Sequence, residues 1–164
     1  MKYLTEVDIL YDKKVKCPVC NQEFTTKKVR ISKLKLIKQD PDFMPYYEQE
    51  NPIKYNIFIC PNCGYAAIED KFDSISIRKK DIILREITSK WNKRSYGDIR
   101  TIEQSIELHK IAIYIGQLLE YSRIELGILT LNLAWLYRLK NDEEQEMRFL
   151  RLTRAFFEEA YYKE

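Results

Sequence analysis

Histidine occurs once in 164 residues and glycine only four times, while cysteine is missing beyond residue 63 and proline beyond residue 61. A single histidine, His109, makes no catalytic triad without a nucleophile and an orienting carboxylate, and the sequence offers no recognisable pair of that kind. So few glycines leave no phosphate-cradling loop, which removes support for nucleotide enzymes. Long apolar runs are missing too. The longest uncharged stretch, Leu126 to Tyr137, includes Thr130 and Asn132 and falls short of the roughly 18 apolar residues of a membrane-spanning helix. Glu6 and Asp8 stand where a secretory leader would carry its apolar segment. The expectation is a soluble, cytoplasmic, non-enzymatic chain with no membrane partner.

What is present is a pair of pairs. Cys17 and Cys20 lie in Lys-Cys-Pro-Val-Cys, and Cys60 and Cys63 in Ile-Cys-Pro-Asn-Cys-Gly-Tyr. A Cys-x-x-Cys turn aims two sulfurs at one point, and two such turns complete a tetrahedral thiolate shell. The spacing assigns Cys17, Cys20, Cys60 and Cys63 as ligands of one structural Zn²⁺. Mononuclear iron is the main rival, because two Cys-Pro-x-Cys turns also resemble those of rubredoxin, and a dithiol redox pair is a third reading. Four thiolates leave no open position for a substrate or an activated water, so the site speaks for folding and not for catalysis. Thiols that bind metal instead of forming disulfides fit a reducing compartment.

Between the cysteine pairs, residues 24–38 suit strands, with a parity shift near Ser32 and Lys33 that predicts a bulge or a bend. Asp40-Pro41-Asp42 and Asn51-Pro52 read as turns. Ile53, Tyr55, Ile57 and Ile59 alternate with Lys54, Asn56 and Phe58, which predicts a strand leading into the second pair. The segment also holds Lys27, Lys28, Arg30, Lys33, Lys35 and Lys38 with no acidic residue among them. That run has two readings. It is a nucleic-acid footprint, with Phe43, Tyr46, Tyr47 and Tyr55 as stacking platforms, or it is a solvated strand face whose lysines guard an exposed edge.

From Asp81 onward the sequence is helical in character. Helices are predicted over residues 81–95, 101–120 and 122–139, and a fourth after the Asn141-Asp142-Glu143-Glu144 cap; Thr101 and Gln104 form a capping box. Ser105, His109, Ala112 and Gly116 make one stripe of mostly small side chains, which predicts close approach of another helix and a packing role for His109. Arg148, Arg151 and Arg154 repeat at helical spacing, with Glu144 and Glu158 placed for ordinary ion pairs. The third helix is apolar on nearly every side and reads as buried.

Cys17-Pro-Val-Cys20, Glu23-Phe24, Lys27-Lys28-Val29-Arg30, Asp42-Phe43, Asn51-Pro52, Tyr55 and Cys60-Pro-Asn-Cys63-Gly64-Tyr65-Ala66 together resemble an uncharacterised bacterial family, domain of unknown function 2225. The likeness continues into Leu133-Ala-Trp-Leu-Tyr-Arg138 and the acidic turn after it. It implies a cytoplasmic bacterial protein with a zinc-ribbon-like front, tetratricopeptide-like helices behind, and no established activity. Asn21 departs from the glycine common after the second cysteine of a knuckle, but asparagine tolerates a left-handed backbone and the turn is expected to survive.

The expected architecture is therefore α+β: a small antiparallel zinc-ribbon-like module over residues 1–75, with a long insertion between the cysteine pairs, then an all-helical tetratricopeptide-like module over residues 80–164. The functional expectation is a zinc-binding protein-interaction module with a protein partner. The alternative is nucleic-acid binding through residues 27–38.

Overall fold

Three β-hairpins precede the helices, and two of them exist to present a cysteine turn. In the computed structural model, which describes residues 9–163, strands β1 (Leu10–Lys16) and β2 (Glu23–Val29) pair antiparallel from Leu10↔Val29 to Lys16↔Glu23. Cys17 to Gln22 form the turn between them. Strands β5 (Ile57–Ile59) and β6 (Ala66–Ile68) pair antiparallel, Ile57↔Ile68 to Ile59↔Ala66, around a turn of the same length, Cys60 to Tyr65. The third hairpin, β3 (Leu36–Gln39) with β4 (Pro45–Tyr47), lies within the insertion and carries a register shift between Leu36 and Lys38. Each hairpin is its own two-stranded sheet.

Two local expectations are refined by this chain path. The parity shift near Ser32 and Lys33 is a 3-10 turn, Ile31–Lys33, that separates β2 from β3. Pro52–Tyr55 is also a 3-10 turn and not the start of a strand: Asn51 accepts the Ile53 N–H, and proline sits at the first helical position, so only Ile57–Ile59 remains extended. Strand β1 has no counterpart among the sequence-based expectations.

A short helix α1 (Glu69–Phe72) follows β6, and Ser76 caps α2 (Ile77–Glu86). The expected helix over residues 81–95 thus begins earlier and stops sooner. It gives way to a 3-10 turn, Thr88–Lys90, because Thr88 Oγ1 donates to the Cys63 carbonyl (2.9 Å) and Trp91 Nε1 to the Pro61 carbonyl (2.9 Å). Helix α3 (Ile102–Leu118) opens on the Thr101–Gln104 capping box, and α4 (Arg123–Leu139) on a second box formed by Ser122 and Glu125. Helix α5 (Glu143–Lys163) carries Glu143, Glu144 and Glu146 in its first turn, and the Asp142 carboxylate accepts the Gln145 N–H. No helix among the described residues is long and apolar enough to cross a membrane.

Helix α4 is buried as its pattern requires, with Leu126, Leu129, Leu133, Ala134 and Leu136 inside. The stripe on α3 meets more than a helix. Ser105 Oγ donates to the Lys54 carbonyl (3.0 Å), and α3 packs on β5 and β6. At its Gly116 end the stripe faces the α3–α4 turn, where a Cβ would come within 2.7 Å of Tyr121 and 3.1 Å of Leu126.

The segments before and after residues 75–80 share one apolar cluster, running from Cys17, Ile57, Phe58 and Tyr65 through Phe72 to Ile83, Leu108, Ile115, Leu126 and Leu129. Arg100 spans the same seam. It is 2% exposed, and its guanidinium donates to the carbonyls of Ile57 (2.8 Å), Lys54 (3.2 Å) and Tyr96 (3.4 Å) and to Thr26 Oγ1 (3.3 Å). Burial pulls its pKa down to about 10, so it stays charged at neutral pH, stabilised by the carbonyl dipoles, the Thr26 hydroxyl and the Tyr55 ring, 5.6 Å away.

Candidate metal centre

The two cysteine turns are built alike, bond for bond. The Cys17 N–H donates to the Gln22 carbonyl, and the Asn21 N–H returns to the Cys17 carbonyl, both at 2.9 Å. In the second turn Cys60 N–H donates to Tyr65 O and Gly64 N–H to Cys60 O, again at 2.9 Å. Each turn needs a left-handed residue at the same place, supplied by Asn21 (φ 64°) and Gly64 (φ 82°). Asn21 therefore does what the glycine does. At Gly64 the requirement is doubled, since a Cβ there would lie 2.6 Å from the Trp91 ring.

This repetition brings the four sulfurs within 4.8 Å of one another. Cys17 and Cys63 are 3.6 Å apart, as are Cys20 and Cys60, and all four are free cysteines. A covalent S–S bond would need about 2.05 Å. A tetrahedron of sulfurs at about 2.3 Å from a central ion has an edge near 3.8 Å, so the cluster already has the dimensions of a thiolate shell. Cys17, Cys60 and Cys63 are buried, and Cys20 alone is partly open to solvent.

The electrostatics call for a cation. Hydrogen bonding to Cys60 drives the Cys17 pKa up, and Cys63 is driven up by its bonds to Cys17 and Cys60. Cys60, which accepts from both, is driven down. Four sulfurs at this spacing cannot ionise together unless a metal ion carries the compensating charge. The backbone assists: N–H groups of Val19 and Cys20 turn to Cys17, those of Asn62 and Cys63 to Cys60, and that of Tyr65 to Cys63. Thr88 and Trp91 then hold the second turn from outside, with the Arg94 guanidinium stacked 3.9 Å from the Trp91 ring. The donor set fits a metal ion.

The basic run is dispersed by the fold. Lys27 pairs with Asp12 (2.7 Å), Lys28 shares Glu69 with Lys13 (2.7 Å each), and Arg30 lies over the Tyr11 ring. Arg30, Lys33, Lys35 and Lys38 are exposed. Of the four aromatic platforms, Tyr55 is buried, Tyr46 and Tyr47 are half-buried, and Phe43 alone is open, at 73% exposure. Lys38 covers the Tyr46 ring, and Tyr46 donates its hydroxyl to Asp40.

His109 is fully buried, with Nδ1 2.7 Å from the Ser105 carbonyl and no partner for Nε2. That bond makes Nδ1 the protonated nitrogen, and burial lowers the pKa to about 4. Arg154 pairs with Glu158 (2.8 Å), and Arg148 lies over the Phe149 ring. Glu6 and Asp8 fall outside the described residues.

Sequence reasoning missed a charged clamp that ties the insertion to the helices. Arg138 donates to Asp42 through both terminal nitrogens (3.0 and 2.7 Å), to Asp40 (3.0 Å) and to Glu146 (3.2 Å), while Trp135 Nε1 donates to Asp42 (3.0 Å). The Arg138 hydrogen bonds hold the Asp42 carboxyl down at about 2. Asp42 and the Leu133–Arg138 segment both belonged to the family resemblance, and their joint presence was the available signal.

No solved structure matches the chain. An uncharacterized protein of Borreliella burgdorferi (strain B31) is 26% identical over 182 residues, covering 97% of this chain and 63% of that relative, so the chain spans less than two thirds of the relative's length. A family model described as uncharacterized protein conserved in bacteria matches residues 10–164, taking in all four cysteines and both halves of the Arg138 clamp. The chain belongs to that bacterial family, DUF2225.

Proposed function

We propose that Cys17, Cys20, Cys60 and Cys63 hold one structural Zn²⁺ per chain, and that the protein is a non-catalytic, cytoplasmic binding protein whose metal fixes the insertion against the helices. The observation that carries the reading is the duplication of the cysteine turn, down to its hydrogen bonds and its left-handed residue. Zinc suits an all-sulfur tetrahedral shell and has no redox chemistry of its own. A shell of four protein ligands leaves no coordination site for a substrate, and the buried, singly bonded His109 has no nucleophile to serve. Burial of Tyr55 and the pairing of Lys27 and Lys28 weigh against nucleic acid and in favour of a protein partner.

Metal analysis of purified protein, followed by cobalt substitution, tests the assignment. The expected result is one equivalent of zinc and a tetrathiolate cobalt spectrum, both lost in Cys60→Ser. Stoichiometric iron, or less than half an equivalent of zinc without the cobalt spectrum, overturns it.

A further inference from the structure

The β3–β4 hairpin is exposed in a way that edge protection does not explain. Every residue of β3 is exposed, and Leu36 and Ile37, at the register shift, are 59% and 60% open. Ile31, just before it, is 68% open. A lysine-guarded edge keeps its aliphatic side chains inward; this one offers Leu36 and Ile37 to solvent among Lys33, Lys35 and Lys38. No carboxylate pairs with those three lysines among the described residues, and Asp40 and Asp42 are turned inward onto Arg138. At the tip, Phe43 adopts φ 72° with its ring in solvent, an unfavourable backbone for an aromatic residue that contributes nothing to the core.

A two-stranded hairpin buries too little to be stable on its own. The turn of this one is fixed on either side of Phe43 by the buried Met44 and, through Asp42, by the Arg138 clamp. Its far edge has no ladder partner among the described residues. We infer that the β3–β4 hairpin takes an acidic, extended segment of a partner protein as a third strand along β3, with Lys33, Lys35 and Lys38 matching its carboxylates and Leu36, Ile37 and Phe43 covering its apolar side chains. Backbone pairing supplies the affinity, and the alternation of acid and aliphatic residues supplies the selectivity. This deepens the binding-protein reading and rests on it. Aliphatic side chains, not stacked aromatics, alternate with the lysines, which favours a peptide strand over a nucleic acid.

The test pans a random peptide display library against the full zinc-loaded chain at about 150 mM salt. The expected survivors alternate Asp or Glu with Val, Ile or Phe. A synthetic survivor binds about tenfold more weakly or worse to the Lys33→Glu, Lys35→Glu, Lys38→Glu triple variant and to the Leu36→Ser, Ile37→Ser double variant, both with unchanged zinc and circular dichroism. N-methylation of alternate peptide amides abolishes binding in one register and is tolerated in the other. No enriched family, a basic or neutral one, or affinity unchanged in the variants overturns the inference. So does tight binding of mixed oligonucleotides or of phosphatidylserine vesicles that the triple variant loses. Zinc content on the same preparations reports on the metal reading alone: a zinc-free chain that still selects acidic peptides refutes the metal and keeps the hairpin, and a zinc-loaded chain that selects nothing does the reverse.

Discussion

Replacing Asp42 by asparagine isolates the clamp that anchors the insertion. The Asp42 carboxyl sits at about 2 against an ordinary 3.8, which at about 1.4 kcal/mol per pKa unit sets an upper bound near 2.5 kcal/mol. The side chain is 34% exposed, so solvent screening reduces the figure to about 1–2 kcal/mol. Asp42→Asn does not orphan Arg138, because Asp40 and Glu146 remain. The larger cost of stranding a buried charge, about 3–5 kcal/mol, does not apply. A carboxyl with a lowered folded pKa contributes stability that is present above its unfolded value, about 3.9, and lost as pH falls through its folded value. The difference between wild type and variant is therefore flat from pH 7 to about 5 and closes toward zero near pH 2. Urea unfolding followed by tryptophan fluorescence measures it, with Trp135 bonded to the carboxylate as a local reporter. Zinc content is followed across the series, because loss of metal at low pH would open the hairpin and the clamp with it, and the comparison is made where both chains keep the metal. A difference that is absent at pH 7, or that persists unchanged at pH 2, would refute the reasoning.

Gly64→Ala should destabilise the chain by about 2–4 kcal/mol, combining left-handed strain with the clash at Trp91, while Asn21→Gly should stay within about 0.5 kcal/mol; equal costs in denaturation would contradict the paired-turn account. Stripping the metal with a chelator should lower the melting temperature of the helical circular-dichroism signal as well as disorder the hairpins, because one apolar cluster spans both; helices that melt unchanged would show that the two segments fold independently. His109 is held neutral in the fold with its pKa lowered to about 4, so the unfolded chain takes up the extra proton and stability falls as pH drops from about 6.5 to about 4, by roughly 3 kcal/mol at most. His109→Leu should remove that slope, and an identical pH profile in wild type and variant would exclude the histidine as its source.

What was legible in the sequence was local. The cysteine turns, the Thr101 box, the acidic cap before α5 and the left-handed Asn21 each follow from a few adjacent residues. What was hidden depends on distant partners. Strand β1 has only Leu10, Tyr11 and Val15 as apolar residues and becomes a strand by pairing with β2. The end of α2 carries no breaker; Thr88 and Trp91 stop it by bonding to the second cysteine turn. Two of the three carboxylates that hold Arg138, those of Asp42 and Asp40, lie 96 and 98 positions away, beyond the reach of any local pattern. Arg100 gave no sign at all, since its acceptors are mostly backbone carbonyls, which every residue possesses.

The separation of the two cysteine turns has a consequence for how the chain is made. Thirty-nine residues lie between Cys20 and Cys60, and at a synthesis rate of about 5–20 residues per second the first turn leaves the ribosome roughly 2–8 seconds before the second. During that interval a metal ion meets only two of its four sulfurs. Completion of the shell also closes a loop of that length, at an entropic cost that rises only slowly with loop size. The apolar cluster around the cysteines runs on to Leu126 and Leu129, so a metal ion taken up as soon as Cys63 is made would be held before its ligands are buried. Nascent chains stalled just after Cys63 should surrender zinc to a chelator quickly, and those stalled well beyond Leu129 should hold it.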